Sequence, residues 1–284
     1  MGEVYEVQDG LLEERVALKT VVISQADDPR AVRRLKREVL LSRRVTHPNV
    51  CRVYDLGEDG PLTFLTMELL AGETLRRRLA RTGPMDAADA LPIALPMAAA
   101  LDAAHAAGVI HRDFKSDNIV LVPGGGRERV VVTDFGLARG ELAGERKTNR
   151  PSTLGSGIAG TVTHLAPEQV DGRPTTIASD LYALGVVLFE LVTGGRLPFE
   201  GTSPMEVATR RLREAPPSPR THAPTVDATW ESVILRCLAR DPADRFASAR
   251  EVAAALGGDL DAPTRWARAM PVSESDEERS AVRS

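Results

Sequence analysis

One stretch of this sequence, His111–Leu121 (HRDFKSDNIVL), places a carboxylate, an ammonium and an amide on a single loop: Asp113, Lys115 and Asn118. A second carboxylate, Asp134, follows the apolar run Val130–Thr133 and opens the turn Asp134-Phe135-Gly136. These groups suit phosphoryl transfer. Asp113 can accept a hydroxyl proton and aim the oxygen, while Lys115 can neutralise charge on the moving group. Asn118 and Asp134 offer hard oxygen ligands to Mg²⁺, which takes its remaining ligands from phosphates and water. Taken singly, the first piece is an Asx-rich turn and the second an ordinary Asp-Phe-Gly turn. It is their combination, in this order, that carries weight.

Elements to position such a loop can be read on both sides of it. Gly2–Val7 is strand-like and ends at the turn Asp9-Gly10, and Val16–Ile23 is a second strand bearing one cation, Lys19. Pro29–Val45 has helical apolar spacing through Val32, Leu35, Val39 and Leu40, with Glu38 among basic neighbours. Val50–Leu56 and Leu62–Glu68 complete a small sheet. Helices dominate from Thr74 onward, and Leu91–Ala107 leads directly into the loop. Pro123–Arg129 is a glycine-rich hairpin turn and no phosphate loop, because apolar strands bracket it and no helix follows. Gly140–Gly160 is polar and rich in Ser and Thr, and 258–284 reads as a polar tail or linker.

Composition narrows the class. The chain has 284 residues, 27% of them charged, 43% hydrophobic, and a net charge of −4, which argues against a dedicated nucleic-acid binder. Its only lysines are Lys19, Lys36, Lys115 and Lys147. Cys51 and Cys237 lack metal-ligand spacing and read as free thiols in a reducing cytosol. No signal peptide opens the chain. The apolar runs Leu91–Gly108 and Leu181–Thr193 carry prolines or charges and read as buried core helices, so no membrane span and a cytoplasmic location are expected.

With Val16-Ala17-Leu18-Lys19, Glu38, His47-Pro48-Asn49, Gly160-Thr161, Ala166-Pro167-Glu168 and Arg245 in order around the loop, the chain resembles a eukaryotic-like serine/threonine protein kinase of the bacterial type. The resemblance runs from Gly2 to about Leu256. It implies an α+β, bilobal fold, with a small β-rich N-lobe (1–70) lacking its first strand and a larger helical C-lobe (71–257). It also implies ATP and Mg²⁺ as cofactors, with Mn²⁺ a workable substitute, and proteins with Ser or Thr acceptors as partners.

The resemblance assigns the site residue by residue. Asp113, Lys115, Lys19, Glu38 and Thr161 are the expected catalytic set, with Glu38 holding Lys19 and Thr161 contacting Asp113 and Lys115. Gly2, Val4, Ala17, Lys19, Met67, Glu68, Leu70, Val120 and Asp134 are the expected nucleotide-binding set. Among them, Val4 roofs the adenine, Met67 is the gatekeeper, and the backbone of Glu68 and Leu70 meets the adenine edge, so that side-chain identity there matters little. Asn118 and Asp134 are the metal ligands. Asp180 is expected to hold the loop backbone, Arg245 to pair with Glu168, and Arg112 to bond a phosphorylated residue among Thr148, Ser152, Thr153 and Ser156.

Three departures accompany the resemblance. Met1-Gly2-Glu3-Val4-Tyr5 matches the second half of a glycine-rich loop, which leaves the first two glycines and their strand without a counterpart. Ser42 stands where an apolar residue is usual, so looser placement of its helix is expected. His164 stands where a tyrosine is common. Two further classes remain beside an active kinase: a low-activity kinase-fold scaffold or regulatory binding protein, and a small-molecule phosphotransferase with a related core. The peptide-binding signatures Ala166-Pro167-Glu168, Gly160-Thr161 and Arg245 count against the latter.

Overall fold

The structure is a computed structural model, and it describes residues 3–10, 13–21, 29–60, 62–124, 126, 128–135 and 162–260. Its first part is a four-stranded antiparallel sheet in the order β1-β2-β4-β3, made of Val4–Gln8 (β1), Arg15–Val21 (β2), Val53–Asp59 (β3) and Leu62–Met67 (β4). Register puts Val4 opposite Lys19, Lys19 opposite Leu65, and Ala17 opposite Met67. Directly paired residues share a face, as do alternate residues along a strand, so these five lie on one side of the sheet. The helix Pro29–Ser42 (α1) packs on that side, where Leu35 and Val39 bury against Leu65. That docking is what brings Glu38 to the side of the sheet that carries Lys19.

The second part is helical, with a three-stranded sheet at its upper edge: Glu73–Thr74 (β5), Ile119–Val122 (β6) and Arg129–Val132 (β7). The glycine-rich turn expected over Pro123–Arg129 does join antiparallel strands, with Ile119 opposite Val132. Leu75–Thr82 (α2) starts at Thr74, whose hydroxyl caps the Arg77 N–H. Ala87–Ala106 (α3) is capped by Asp86 and carries Pro92 and Pro96 within it. It is the one helix among the described residues long and apolar enough to cross a membrane. Here its Ala90, Ile93, Met97, Leu101 and Ala104 sit in the main core.

That core is built around the helix Ile177–Thr193, buried along nearly its whole length. Gly185 allows the close crossing with the helix Ala228–Cys237, since a Cβ there would lie 2.5 Å from the Cys237 Cβ. Gly194 ends the helix at φ 74°, the left-handed conformation that glycine reaches without steric cost.

The two parts are stitched together by the segment His47-Pro48-Asn49. Asn49 Nδ2 donates to the Val130 carbonyl at 2.7 Å, and Arg129 Nε donates to the Pro48 carbonyl at 2.7 Å. Backbone bonds Val132 N–Asn49 O (2.8 Å) and Cys51 N–Val132 O (2.9 Å) add a short parallel bridge.

Candidate active site

Loop His111–Asn118 is held from below by one buried carboxylate. Asp180, on the central helix, accepts the backbone N–H groups of His111 at 2.7 Å and Arg112 at 2.9 Å, and His105 Nε2 lies 2.8 Å from the same side chain. This stabilises Arg112 at φ 70°, a left-handed conformation that costs a non-glycine residue of order 1–3 kcal/mol. His111 is fully buried. Burial, opposed by the carboxylates of Asp180 and Asp113, holds its pKa below the ordinary value, so the ring stays neutral and bonds the Thr133 carbonyl at 2.9 Å.

Above that anchor the three groups of the loop converge. Lys115 Nζ donates to Asp113 Oδ2 at 2.6 Å, and Asn118 Nδ2 donates to the Asp113 carbonyl at 2.8 Å and to its Oδ2 at 3.2 Å. The amide nitrogen is thus committed to Asp113, which leaves the Asn118 Oδ1 as the acceptor side. Asn118 O in turn accepts Thr133 N at 2.8 Å, which places Asp134 next to the loop. Asp134 has φ 63°, a second left-handed non-glycine residue at the same place.

Lys19 and Glu38 do not pair as the resemblance implied. Lys19 Nζ is 2.6 Å from Asp134 Oδ1, while Glu38 Oε1 takes Arg112 Nη1 at 3.1 Å. Lys19 thus sits on the carboxylate expected to hold Mg²⁺, and Glu38 holds the guanidinium expected to bond a phosphorylated residue. The reason is proximity: Asp134 projects from its turn toward Lys19, and Glu38, almost buried, faces Arg112 on the loop His111–Asn118. Ser42 also departs from expectation. Its hydroxyl is buried and donates to the Phe135 carbonyl at 3.0 Å, so α1 is tied to the Asp134 turn instead of loosened.

The apolar wall is a small cluster of Ala17, Cys51, Met67 and Val131, with Leu69, Leu70 and Val122 against it. Val120 lies on the same side of β6 as Val122 by strand alternation. Val4 is 58% exposed on β1, and β1 also forms one edge of the sheet. Cys51, a free thiol, belongs to this wall beside Met67, with burial foremost among the causes pushing its pKa up to about 12. The Glu68 side chain matters more than expected, for Arg129 grips it through both terminal nitrogens and so fixes the segment joining the two parts. Its carbonyl receives the weak Cys51 thiol at 3.9 Å. Gly2 and Thr161 lie outside the described residues, as do Thr148, Ser152, Thr153 and Ser156.

In the helical part, Arg245 and Glu168 form a bidentate pair at 2.9 and 2.8 Å, and Ser179 adds a bond at 2.7 Å. Burial would raise the Glu168 pKa, but the Arg245 and Ser179 hydrogen bonds outweigh it and hold the carboxyl below its ordinary value. The order and geometry of these pieces find their match among known proteins: the family profile described as "Protein kinase domain" covers residues 1–255. The chain belongs to the protein kinase family.

Within that family it is similar to bacterial serine/threonine kinases. It is 35% identical to the serine/threonine-protein kinase PrkC of Bacillus subtilis over 99% of this chain and 42% of that protein. It is 41% identical to PkaA of Streptomyces coelicolor over 82% of this chain and 41% of that protein. This kinase domain therefore spans about two fifths of the length of those curated relatives. Among solved structures, the kinase domain of Mycobacterium tuberculosis PknI is 30% identical, with a TM-score of 0.68 and 90% of each chain covered. The antiparallel N-lobe and helical C-lobe are the protein kinase fold.

The donor set fits the cofactors this family implies. Among the described residues no cluster of three or more His, Cys, Asp or Glu side chains forms a cage for a metal. Mg²⁺ does not require one, since it binds through one or two protein oxygens plus phosphates. Asp134 already holds a cation, the Lys19 ammonium, which marks it as the carboxylate where positive charge is favoured.

Proposed function

We propose that this chain is the catalytic domain of a serine/threonine protein kinase, moving the γ-phosphoryl group of ATP to Ser or Thr hydroxyls of proteins, itself included. The observation that carries this is Asp113, a carboxylate held by Lys115 and Asn118 on a loop bonded to the strand that presents Asp134. Asp113 accepts the acceptor proton and orients the oxygen. Lys115, fixed 2.6 Å from Asp113, lies where charge develops on the transferred group. Val4, Ala17, Met67, Leu70 and Val120 supply the apolar surface for the base, and Lys19 a compact cation for the phosphates. Asp134 and Asn118 would hold Mg²⁺, which when bound neutralises charge on the phosphate oxygens. Work on ATP in bacterial signalling makes the cytoplasm the proposed location.

A low-activity kinase-fold regulatory protein is the second reading. The ion pairs favour it, because Lys19 on Asp134 and Arg112 on Glu38 leave the expected Lys19–Glu38 pair unmade. Phosphate incorporation from Mg-ATP, with Asp113→Asn as blank, separates the two. Incorporation should be about 100-fold or more above the blank. Incorporation no higher than the blank would remove the enzymatic reading and leave the regulatory one.

A further inference from the structure

Phosphoryl transfer as derived above gives no task to His164, Glu190 or Arg76, yet the three meet at one buried point. Glu190 lies on the central helix with 0% exposure and still carries a carboxylate. Ser116 Oγ donates to its Oε1 at 3.0 Å, and Arg76 Nη1 reaches the same oxygen at 3.4 Å. His164 Nε2 is 3.0 Å from Oε2. An ionised carboxylate only accepts, so His164 Nε2 carries the hydrogen, and Nδ1 shares a bond with Thr163 Oγ1 at 2.9 Å. Both ring nitrogens are thereby engaged, and the ring is fixed in orientation.

The donors come from three separate segments: α2, the catalytic loop, and the stretch just ahead of Ala166-Pro167-Glu168. Ser116 stands between Lys115 and Asn118, the two side chains that hold Asp113, and is itself fully buried. From the far side, buried Arg211 donates to the Thr163 carbonyl at 2.6 Å, so the backbone carrying His164 is pinned independently. A displacement at His164 is therefore passed to Glu190 and Ser116 more readily than it is absorbed outward.

Resting on the kinase reading, we propose that His164 is a positioning residue for the catalytic loop. Through Glu190 it fixes Ser116, and with it the placement of Lys115 and Asn118 around Asp113. The peptide-docking segment and the phosphoryl-transfer loop are thus joined by one shared carboxylate. His164→Leu leaves that buried carboxylate short of a donor and forces the cluster to rearrange. His164→Gln restores an N–H donor to Glu190.

The test compares wild type, His164→Leu, His164→Gln and Ser116→Ala, the last removing the link from its loop end. For His164→Leu and Ser116→Ala, kcat should fall about ten- to hundredfold, the scale of a misplacement near 1 Å, with Kd for ATP in the absence of metal unchanged. Backbone hydrogen exchange across 113–119 should accelerate in both, while exchange in the helix Ala228–Cys237 stays at the wild-type rate. His164→Gln should recover most of the loss in both readouts. Wild-type kcat and exchange in His164→Leu would overturn the proposal. So would equal loss in Leu and Gln variants together with a general rise in exchange, which marks a merely structural role. A wild type inactive against the Asp113→Asn blank would remove the kinase reading, and the exchange comparison would still decide the coupling.

Discussion

Lys19 and Asp134, 115 residues apart in the chain, are bonded Nζ to Oδ1 at 2.6 Å. The ammonium occupies the carboxylate proposed to hold Mg²⁺, so cation and metal compete for one group. Lys19→Met should weaken nucleotide binding and strengthen metal binding. Nucleotide affinity should fall about ten- to hundredfold, from loss of a charged hydrogen bond to phosphate. The Mg²⁺ concentration for half-maximal nucleotide binding should fall too, because Asp134 is released. Titration calorimetry reads both, and an unchanged or higher Mg²⁺ requirement would contradict the competition.

Asp113 and Asp134 are proposed for different uses, and their amide variants should differ accordingly. Asp113→Asn should lower turnover about 100-fold or more, with the Kd for Mg-ATP within about twofold of wild type. Asp134→Asn should lower turnover and abolish the Mg²⁺ dependence of nucleotide binding, since the charge that fixes the ion is lost. Near-normal transfer to protein in Asp113→Asn would show that the proton acceptor has been misassigned.

Arg112 is bonded to Glu38 at 3.1 Å. A phosphate on Thr148, Ser152, Thr153 or Ser156 brings about −1.5 to −2 charges and competes with Glu38 for that guanidinium. Replacing all four by alanine should lower activity about fivefold or more, and phosphatase treatment should do the same to wild type. Arg112→Gln should make activity indifferent to phosphatase. Mass spectrometry after incubation with ATP locates the phosphate, and full activity of the four-alanine protein would discard this mechanism.

The Glu168–Arg245 pair is almost wholly buried, so removing one partner leaves an uncompensated charge. Arg245→Leu should destabilise the protein by about 3–5 kcal/mol, read as a lower urea midpoint. The pH dependence follows from the lowered Glu168 pKa. The carboxyl is ionised in both folded and unfolded chains well above its ordinary 4.5, where its stabilisation is fully present. It is lost as pH falls below 4.5 toward the folded value, because the unfolded chain takes up the proton first. His111, also lowered, begins to cost stability below its ordinary 6.5 for the same reason. In Arg245→Leu the step below pH 4.5 should shrink or reverse while the onset below 6.5 persists. An unchanged acid profile would show that Arg245 does not set the Glu168 ionisation.

Residue type and spacing alone determined a good deal of this protein. The loop His111–Leu121, the Asp134 turn and the strand bearing Lys19 were all legible, and the resemblance they carried supplied the pairing of Arg245 with Glu168. Phosphoryl transfer needs particular functional groups, and the backbone sets their local order. Alternation and helical periodicity located α1, β4 and β7 to within a few residues for a similar reason, since a buried face must repeat with its element. What the linear chain could not decide was which cation meets which carboxylate. The resemblance gave Lys19 to Glu38, and the placement of the Asp134 turn beside β2 gave it to Asp134 instead. Ser42 on Phe135, Arg129 on Glu68 and His164 on Glu190 were hidden likewise. A sequence names donors and acceptors, but an ion pair or hydrogen bond forms only within about 4 Å, and packing between distant segments sets that distance.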